Sequence, residues 1–90
     1  MSEIATPNRK TKEMTNKLVK ILEKADNYYH EALQYFDRYN KATDEEMKNI
    51  YWTRSEELSG YADGLCKAYE ILTGRKIYQH QAKAELMALV

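Results

Sequence analysis

The chain has 90 residues, of which 43% are apolar, and its 14 acidic residues balance its 14 basic ones. A chain of this length forms one domain whose own core is barely sufficient, so self-association is an expected supplement. The balanced charge gives no reason to expect a nucleic acid, an anionic membrane or an acidic substrate as partner. Three Gly and one Pro argue against a turn-rich all-β fold.

The cysteine count and the hydropathy pattern indicate a cytoplasmic protein. Cys66 is the single cysteine and cannot form an intramolecular disulfide, and no Cys/His cluster has the spacing of a metal site. The sequence contains neither a signal peptide nor an apolar run of about 18 residues, so we expect no secretion and no membrane insertion. The eight tyrosines combine a large contact area with a polar tip, which suits a partly wet interface.

A long amphipathic helix is predicted from about Arg9 to Asn40, after a flexible N-terminal tail at residues 1–8 that Pro7 separates from it. Its apolar residues fall in two heptad rows, one with Met14, Ile21, Tyr28 and Tyr35 and one with Leu18, Ala25, Ala32 and Tyr39. Leu22, Tyr29 and Phe36 widen this face, so it should pack against at least two neighbours.

The second helix is predicted from about Asp44 to Thr73. Thr43 and Glu46 have the spacing of a capping box, and Gly74 can adopt the left-handed conformation that ends a helix. Its apolar rows are predicted to hold Tyr51, Leu58, Leu65 and Leu72, and then Met47, Arg54, Tyr61 and Ala68.

A short third helix is predicted from about Lys76 to Ala88, with Tyr78, Ala82, Leu86 and Leu89 on one face. The fold class is therefore all-α, with residues 9–90 forming one domain: a long, coiled-coil-like antiparallel hairpin plus a short C-terminal helix. The tight turn sets Leu58 opposite Tyr28 and Leu65 opposite Ile21. We expect dimerisation to complete the bundle.

A strip of small residues runs along the second helix. Gly60, Gly64 and Ala68 are spaced by four residues, and each glycine costs about 1 kcal/mol of helix stability relative to alanine. We predict close packing of a tyrosine ring there, from the first helix or from a second subunit. The alternative is that one glycine marks a local bend.

No pattern for catalysis or for a cofactor emerges. The paired acids Glu56 and Glu57 point about 100° apart on a helix and have no convergent partner. His30 and His80 lack the Glu-x-x-His spacing of a bundle metal site, and Cys66 has no histidine within a helical turn. We therefore expect a non-enzymatic protein.

Aromatic residues that one partner helix cannot cover are the predicted contacts for another protein: Tyr29, Phe36, Trp52 and Tyr69, together with Arg54. Arg54 could stack on a tyrosine, pair with Glu31 or reach a second subunit, or it could pack only its stem and extend its head into water. The competing interpretation is that the aromatics only complete an intramolecular bundle.

An uneven charge distribution supports a second hypothesis. The open end of the hairpin is basic and the turn end is acidic, so the open end could bind nucleic acid or an acidic partner, or could be only solvated surface. The possible nucleic-acid contacts are Arg9, Lys10, Lys12, Arg75 and Lys76.

The segment from Ala68 to Arg75, AYEILTGR, lies in a chain of helices rich in Lys, Glu, Tyr and Asn. In this composition of its helices the sequence resembles short helical proteins of prophages and mobile elements in low-GC Gram-positive bacteria. The resemblance contains no diagnostic motif and carries over no functional residue. It implies an accessory role in which a small protein binds and modulates a host or phage protein.

Overall fold

The computed structural model describes residues 9–90, with side chains from Thr11 onward, so the predicted N-terminal tail lies outside the described residues. Helix α1 spans Arg9–Lys41 and helix α2 spans Glu45–Thr73. A short 3-10 turn at Gln79–Gln81 leads into helix α3, Ala82–Leu89. The predicted all-α hairpin with a short C-terminal helix is confirmed, and the described part of the chain contains no strand.

The N-terminus of α2 is capped by Asp44, so the predicted capping box of Thr43 and Glu46 is wrong. The Asp44 carboxylate accepts a hydrogen bond of 3.2 Å from the Met47 N–H. The backbone N–H of Lys48 donates to the Asp44 carbonyl, which places the first helical turn one residue later than the box requires. Glu45 and Glu46 then lie in the first turn, where their negative charge is favourable.

The third helix begins later than predicted. Gly74 has φ +74°, and its N–H donates to the Glu70 carbonyl, so α2 ends as expected. Residues 75–78 are not helical, and Tyr78 is extended with φ −107° and ψ 163°. This extended segment buries Ile77 against the hairpin, whereas Tyr78, predicted for the packed face, is exposed.

The antiparallel register of the hairpin agrees with the prediction to within a helical turn. The Ser55 hydroxyl donates to the Ala32 carbonyl at 3.1 Å, and the ring centroids of Tyr28 and Tyr61 are 5.4 Å apart. Leu22, Ala25 and Ala32 are buried on α1, which confirms the predicted face of that helix.

One predicted row of α2 is wrong. Ser55, Ala62 and Tyr69 face the core, whereas Arg54 and Tyr61 are exposed. Ser55 and Ala62 lie three residues before and four after Leu58, whereas Arg54 and Tyr61 lie four before and three after it. Both rows therefore fit a heptad with Leu58, and periodicity alone could not decide which one is buried. The small side chains of Ser55 and Ala62 allow the two helices to approach closely, which the bulkier Arg54 and Tyr61 would prevent.

The hydrophobic core lies toward the open end of the hairpin, where the C-terminal segment packs across α1 and α2. Its buried cluster consists of Leu22, Ala25, Cys66, Tyr69, Ile77 and Ala82. No residue from Leu33 to Glu57 is buried. The described residues therefore form a rod of 67 × 19 × 17 Å with three layers at one end and only two helices at the other.

Candidate interaction surface

Three aromatic rings form a cluster near the turn of the hairpin, and we call Phe36, Tyr39 and Trp52 the aromatic patch. The Trp52 ring centroid lies 6.2 Å from that of Phe36 and 5.3 Å from that of Tyr39. Phe36 and Tyr39 lie 6.1 Å apart with nearly parallel rings. Phe36 remains 42% exposed and Trp52 43% exposed, so the rings support one another without being covered.

The position of the patch follows from helix geometry. Phe36 and Tyr39 are three residues apart on α1 and therefore lie side by side, and the antiparallel register brings Trp52 of α2 next to them. Leu33, another exposed apolar residue, lies three residues before Phe36 and extends the same surface. Because the C-terminal segment packs on the open end, it leaves this surface open.

Two of the predicted contact residues lie elsewhere. Tyr29 is half-buried and meets the His30 ring edge-on at 5.5 Å, away from the patch. Tyr69 is only 3% exposed, so its prediction as a partner contact is wrong. Its ring belongs to the core because it is on the face of α2 that the C-terminal segment covers.

Arg54 lies on the outer surface of α2. Its guanidinium group is 3.9 Å from the Glu57 carboxylate, and both side chains are about half exposed, at 45% and 51%. An exposed ion pair of this kind contributes little stability. Within the described chain Arg54 neither stacks on a tyrosine nor pairs with Glu31, and its head group extends into solvent. Contact of Arg54 with a second subunit stays a prediction.

A polar triad attaches the C-terminal segment to α2. The Tyr69 hydroxyl donates to Glu85 Oε2 at 2.7 Å, and the Arg75 Nε–H donates to the same oxygen. The hydrogen bonds from Tyr69 and Arg75 lower the pKa of the Glu85 carboxyl. Burial, followed by the hydrogen bond to Glu85, raises the pKa of Tyr69 to about 12. Glu85 cannot be recognised from the sequence, because its partners Tyr69 and Arg75 lie 16 and 10 residues away along the chain.

Cys66 is a packing residue. It is buried in the core cluster, and burial, assisted by the nearby Asp63 carboxylate, raises the pKa of its thiol. A raised pKa depletes the thiolate, which is the nucleophilic form of cysteine. Burial and the raised pKa therefore both disfavour nucleophilic chemistry at Cys66.

The two glycines of α2 are not packed against any other part of the described chain. No heavy atom outside the helix backbone and the neighbouring residues lies within 4 Å of a Cβ built on Gly60 or Gly64. The predicted close packing by a ring of the first helix is therefore wrong, and α2 continues through both positions. The open space, which we call the glycine notch, is rimmed by Lys24, Tyr28, Tyr61 and Leu65. Ala68, the third member of the strip, is half-buried.

The two basic residues that follow α2 make contacts within the chain. The Arg75 guanidinium is bound to Glu85, and the Lys76 ammonium lies 5.5 Å from the centroid of the Tyr78 ring. Lys12 is exposed, whereas the side chains of Arg9 and Lys10 lie outside the described residues. The charge of Arg75 is thus partly compensated by Glu85, whereas Lys76 remains exposed, and contacts of these residues with nucleic acid stay a prediction.

The described residues contain no group of three or more His, Cys, Asp or Glu residues that could hold a metal ion. None of the described helices combines the length and the apolar character needed to cross a bilayer.

Comparison with known proteins finds no family model that matches the chain, no similar curated protein and no similar solved structure.

Proposed function

We propose that this chain is a non-enzymatic protein–protein interaction module, an accessory protein that binds and modulates another protein through the aromatic patch. The observation that carries the proposal is the pair Phe36 and Trp52, which are both about two-fifths exposed and held in mutual contact. Large aromatic side chains clustered on an accessible surface are the residues that most often dominate binding energy.

The mutual support of the three rings favours binding because it reduces the entropy lost on association. Trp52 contacts both Phe36 and Tyr39, so its side chain is already restricted before a partner arrives. Ordering a free side chain at an interface costs about 0.5–1.5 kcal/mol, and a pre-ordered ring avoids part of this cost.

The charges around the patch indicate the chemistry of the partner. Asp44, Glu45 and Glu46 are exposed at the adjacent N-terminus of α2. A cation is also present, because the Lys48 ammonium lies 5.5 Å from the centroid of the Tyr39 ring. A partner surface with an apolar centre and a rim of both charges would complement the rings, the carboxylates and this lysine.

The test uses Trp52 both as a probe and as a target, because it is the only tryptophan in the sequence. Three proteins are immobilised and exposed to host extract: wild type, Trp52→Ser and a control, Met87→Ser. Met87 is an exposed apolar residue at the other end of the chain. We expect a specific protein to be retained by wild type and by Met87→Ser but not by Trp52→Ser, with unchanged helicity by circular dichroism.

The retained protein is then purified and titrated against wild type. Tryptophan emission, corrected for the partner's own signal, should shift to shorter wavelength as Trp52 leaves water. A partner that binds Trp52→Ser as tightly as wild type, or no specific partner at all, contradicts the proposal.

A further inference from the structure

A second unpartnered surface runs along the side of α2 that faces away from the C-terminal segment. Ile50, Glu57, Gly64 and Ile71 recur every seven residues and therefore form one row along the helix. Ile71 is 84% exposed and Ile50 53% exposed. The C-terminal segment contacts α2 through Ser59 and Tyr69 on the opposite side, and it leaves this row uncovered.

The row is approximately symmetric about its centre. Ile50 and Ile71 lie at almost equal distances from a midpoint between Gly60 and Tyr61. Tyr61 rims the glycine notch of its own copy, where its ring centroid lies 5.4 Å from that of Tyr28, and its side chain remains 53% exposed. A two-fold axis at this midpoint would lay each Tyr61 ring into the notch of the other copy and bring each Ile50 against the Ile71 of the other copy.

The charges at the notch fit the same arrangement. Glu57 would lie level with Gly64 of the second copy, at the edge of the notch that Lys24 rims and beside the seated Tyr61 ring. Within the described chain Lys24 forms no ion pair, and the only cation paired with Glu57 is Arg54, at 3.9 Å. The antiparallel pair would therefore place a carboxylate next to an available ammonium group twice, once for each copy.

We infer that the chain forms an antiparallel homodimer through this outer face of α2, with Tyr61 of each copy seated on Gly60 and Gly64 of the other. We take the occupant of the face to be a second copy because the same surface carries both an exposed ring, Tyr61, and an open notch at Gly60 and Gly64 that could receive such a ring. This interface does not use the aromatic patch, since Tyr61 and Trp52 point about half a turn apart on α2.

The first test measures mass by light scattering over a range of concentrations, because a rod of 67 Å elutes early in gel filtration whatever its mass. We expect twice the monomer mass of 10.6 kDa for wild type. Gly64→Leu fills the notch and should weaken association at least ten-fold. It should keep its helicity, because nothing lies within 4 Å of the new Cβ.

Matched controls separate this interface from other effects. Ala84→Leu adds the same side chain to an exposed position of α3 and should dimerise as wild type does. Trp52→Ser should also dimerise normally, so loss of partner capture and loss of dimerisation can be told apart. Glu57→Lys and Lys24→Glu should each weaken the dimer, and the double variant should restore it.

A cross-linking experiment tests the orientation. Ile50→Cys mixed with Ile71→Cys should form a disulfide-linked heterodimer under mild oxidation, while each variant alone should not, because Cys66 is buried. The inference is overturned by a monomeric mass up to about 1 mM, the concentration of a very weak complex. Undiminished association of Gly64→Leu, or efficient cross-linking of Ile50→Cys alone, overturns it as well.

Discussion

Tyr69 shows how a single hydroxyl group can link distant parts of this chain. Its ring fills the core at the open end, and its hydroxyl donates to Glu85 at 2.7 Å. Glu85 also accepts from Arg75, so the carboxylate joins α2, the segment after it and α3. A hydrogen bond to a charged acceptor contributes about 1.5–3 kcal/mol, more than one between neutral groups.

We expect Tyr69→Phe to lower the free energy of unfolding by about 1–3 kcal/mol at pH 7, because the Glu85 carboxylate loses its tyrosine donor. Tyr78→Phe removes the hydroxyl of an exposed tyrosine and should change the stability by less than about 0.5 kcal/mol. Urea unfolding followed by circular dichroism measures both. Equal losses for the two variants would show that the Tyr69 hydrogen bond contributes nothing.

The same residues predict a pH dependence of stability with a definite sign. The pKa of Glu85 is lowered in the folded state, so its contribution is present above the ordinary value of 4.5 and is lost as the pH falls through the folded pKa. The pKa of Tyr69 is raised from 10.0 to about 12, so its contribution is present below pH 10 and is lost as the pH rises toward 12. The stability gap between wild type and Tyr69→Phe should narrow at both extremes, and a constant gap from pH 3 to pH 11 would contradict this.

At the scale of elements, the start of α2 depends on one side chain. Asp44 supplies the acceptor for the Met47 N–H, one of the amides that a helix N-terminus leaves unpaired. Thr43 precedes the cap and is exposed. The turn of the hairpin is therefore held by Asp44, and the negative side chains that follow it complement the helix dipole.

Asp44→Ala should lower the free energy of unfolding by about 1 kcal/mol, as the loss of an N-cap does in other helices. Thr43→Ala should change it by less than about 0.5 kcal/mol, because Thr43 is not the cap. Thermal unfolding of the two variants beside wild type separates these values. The reverse order of effects would make Thr43 the capping residue.

At the scale of the whole molecule, stability is concentrated at the open end. The core cluster brings α1, α2 and the C-terminal segment together around Leu22 and Cys66. The turn end has two helices and no buried residue from Leu33 to Glu57. The end that carries the aromatic patch is thus the end that is least constrained by packing.

Hydrogen exchange should reveal this gradient. Amides near Leu22 and Cys66 should exchange more slowly than those of residues 36–52, because local opening of the turn end exposes less buried surface. Mass spectrometry of proteolytic peptides after timed exchange gives the comparison, at a protein concentration low enough to keep the chain monomeric. Protection that is greatest at residues 36–52 would contradict the prediction.

The sequence by itself determined the two long helices, the presence of a short third one, the core face of α1 and the antiparallel register, because these follow from periodicity and from turn residues close together in the chain. The cap of α2 and the start of α3 were not determined in this way. Only the tertiary structure decided that Ser55 and Ala62, and not Arg54 and Tyr61, face the core of α2. It also placed Tyr69 inside and left the glycine notch open. The physical reason is that heptad spacing is equally compatible with burial of either row beside Leu58. Which row is buried depends on which distant segment of the chain packs against α2 and on how closely it packs.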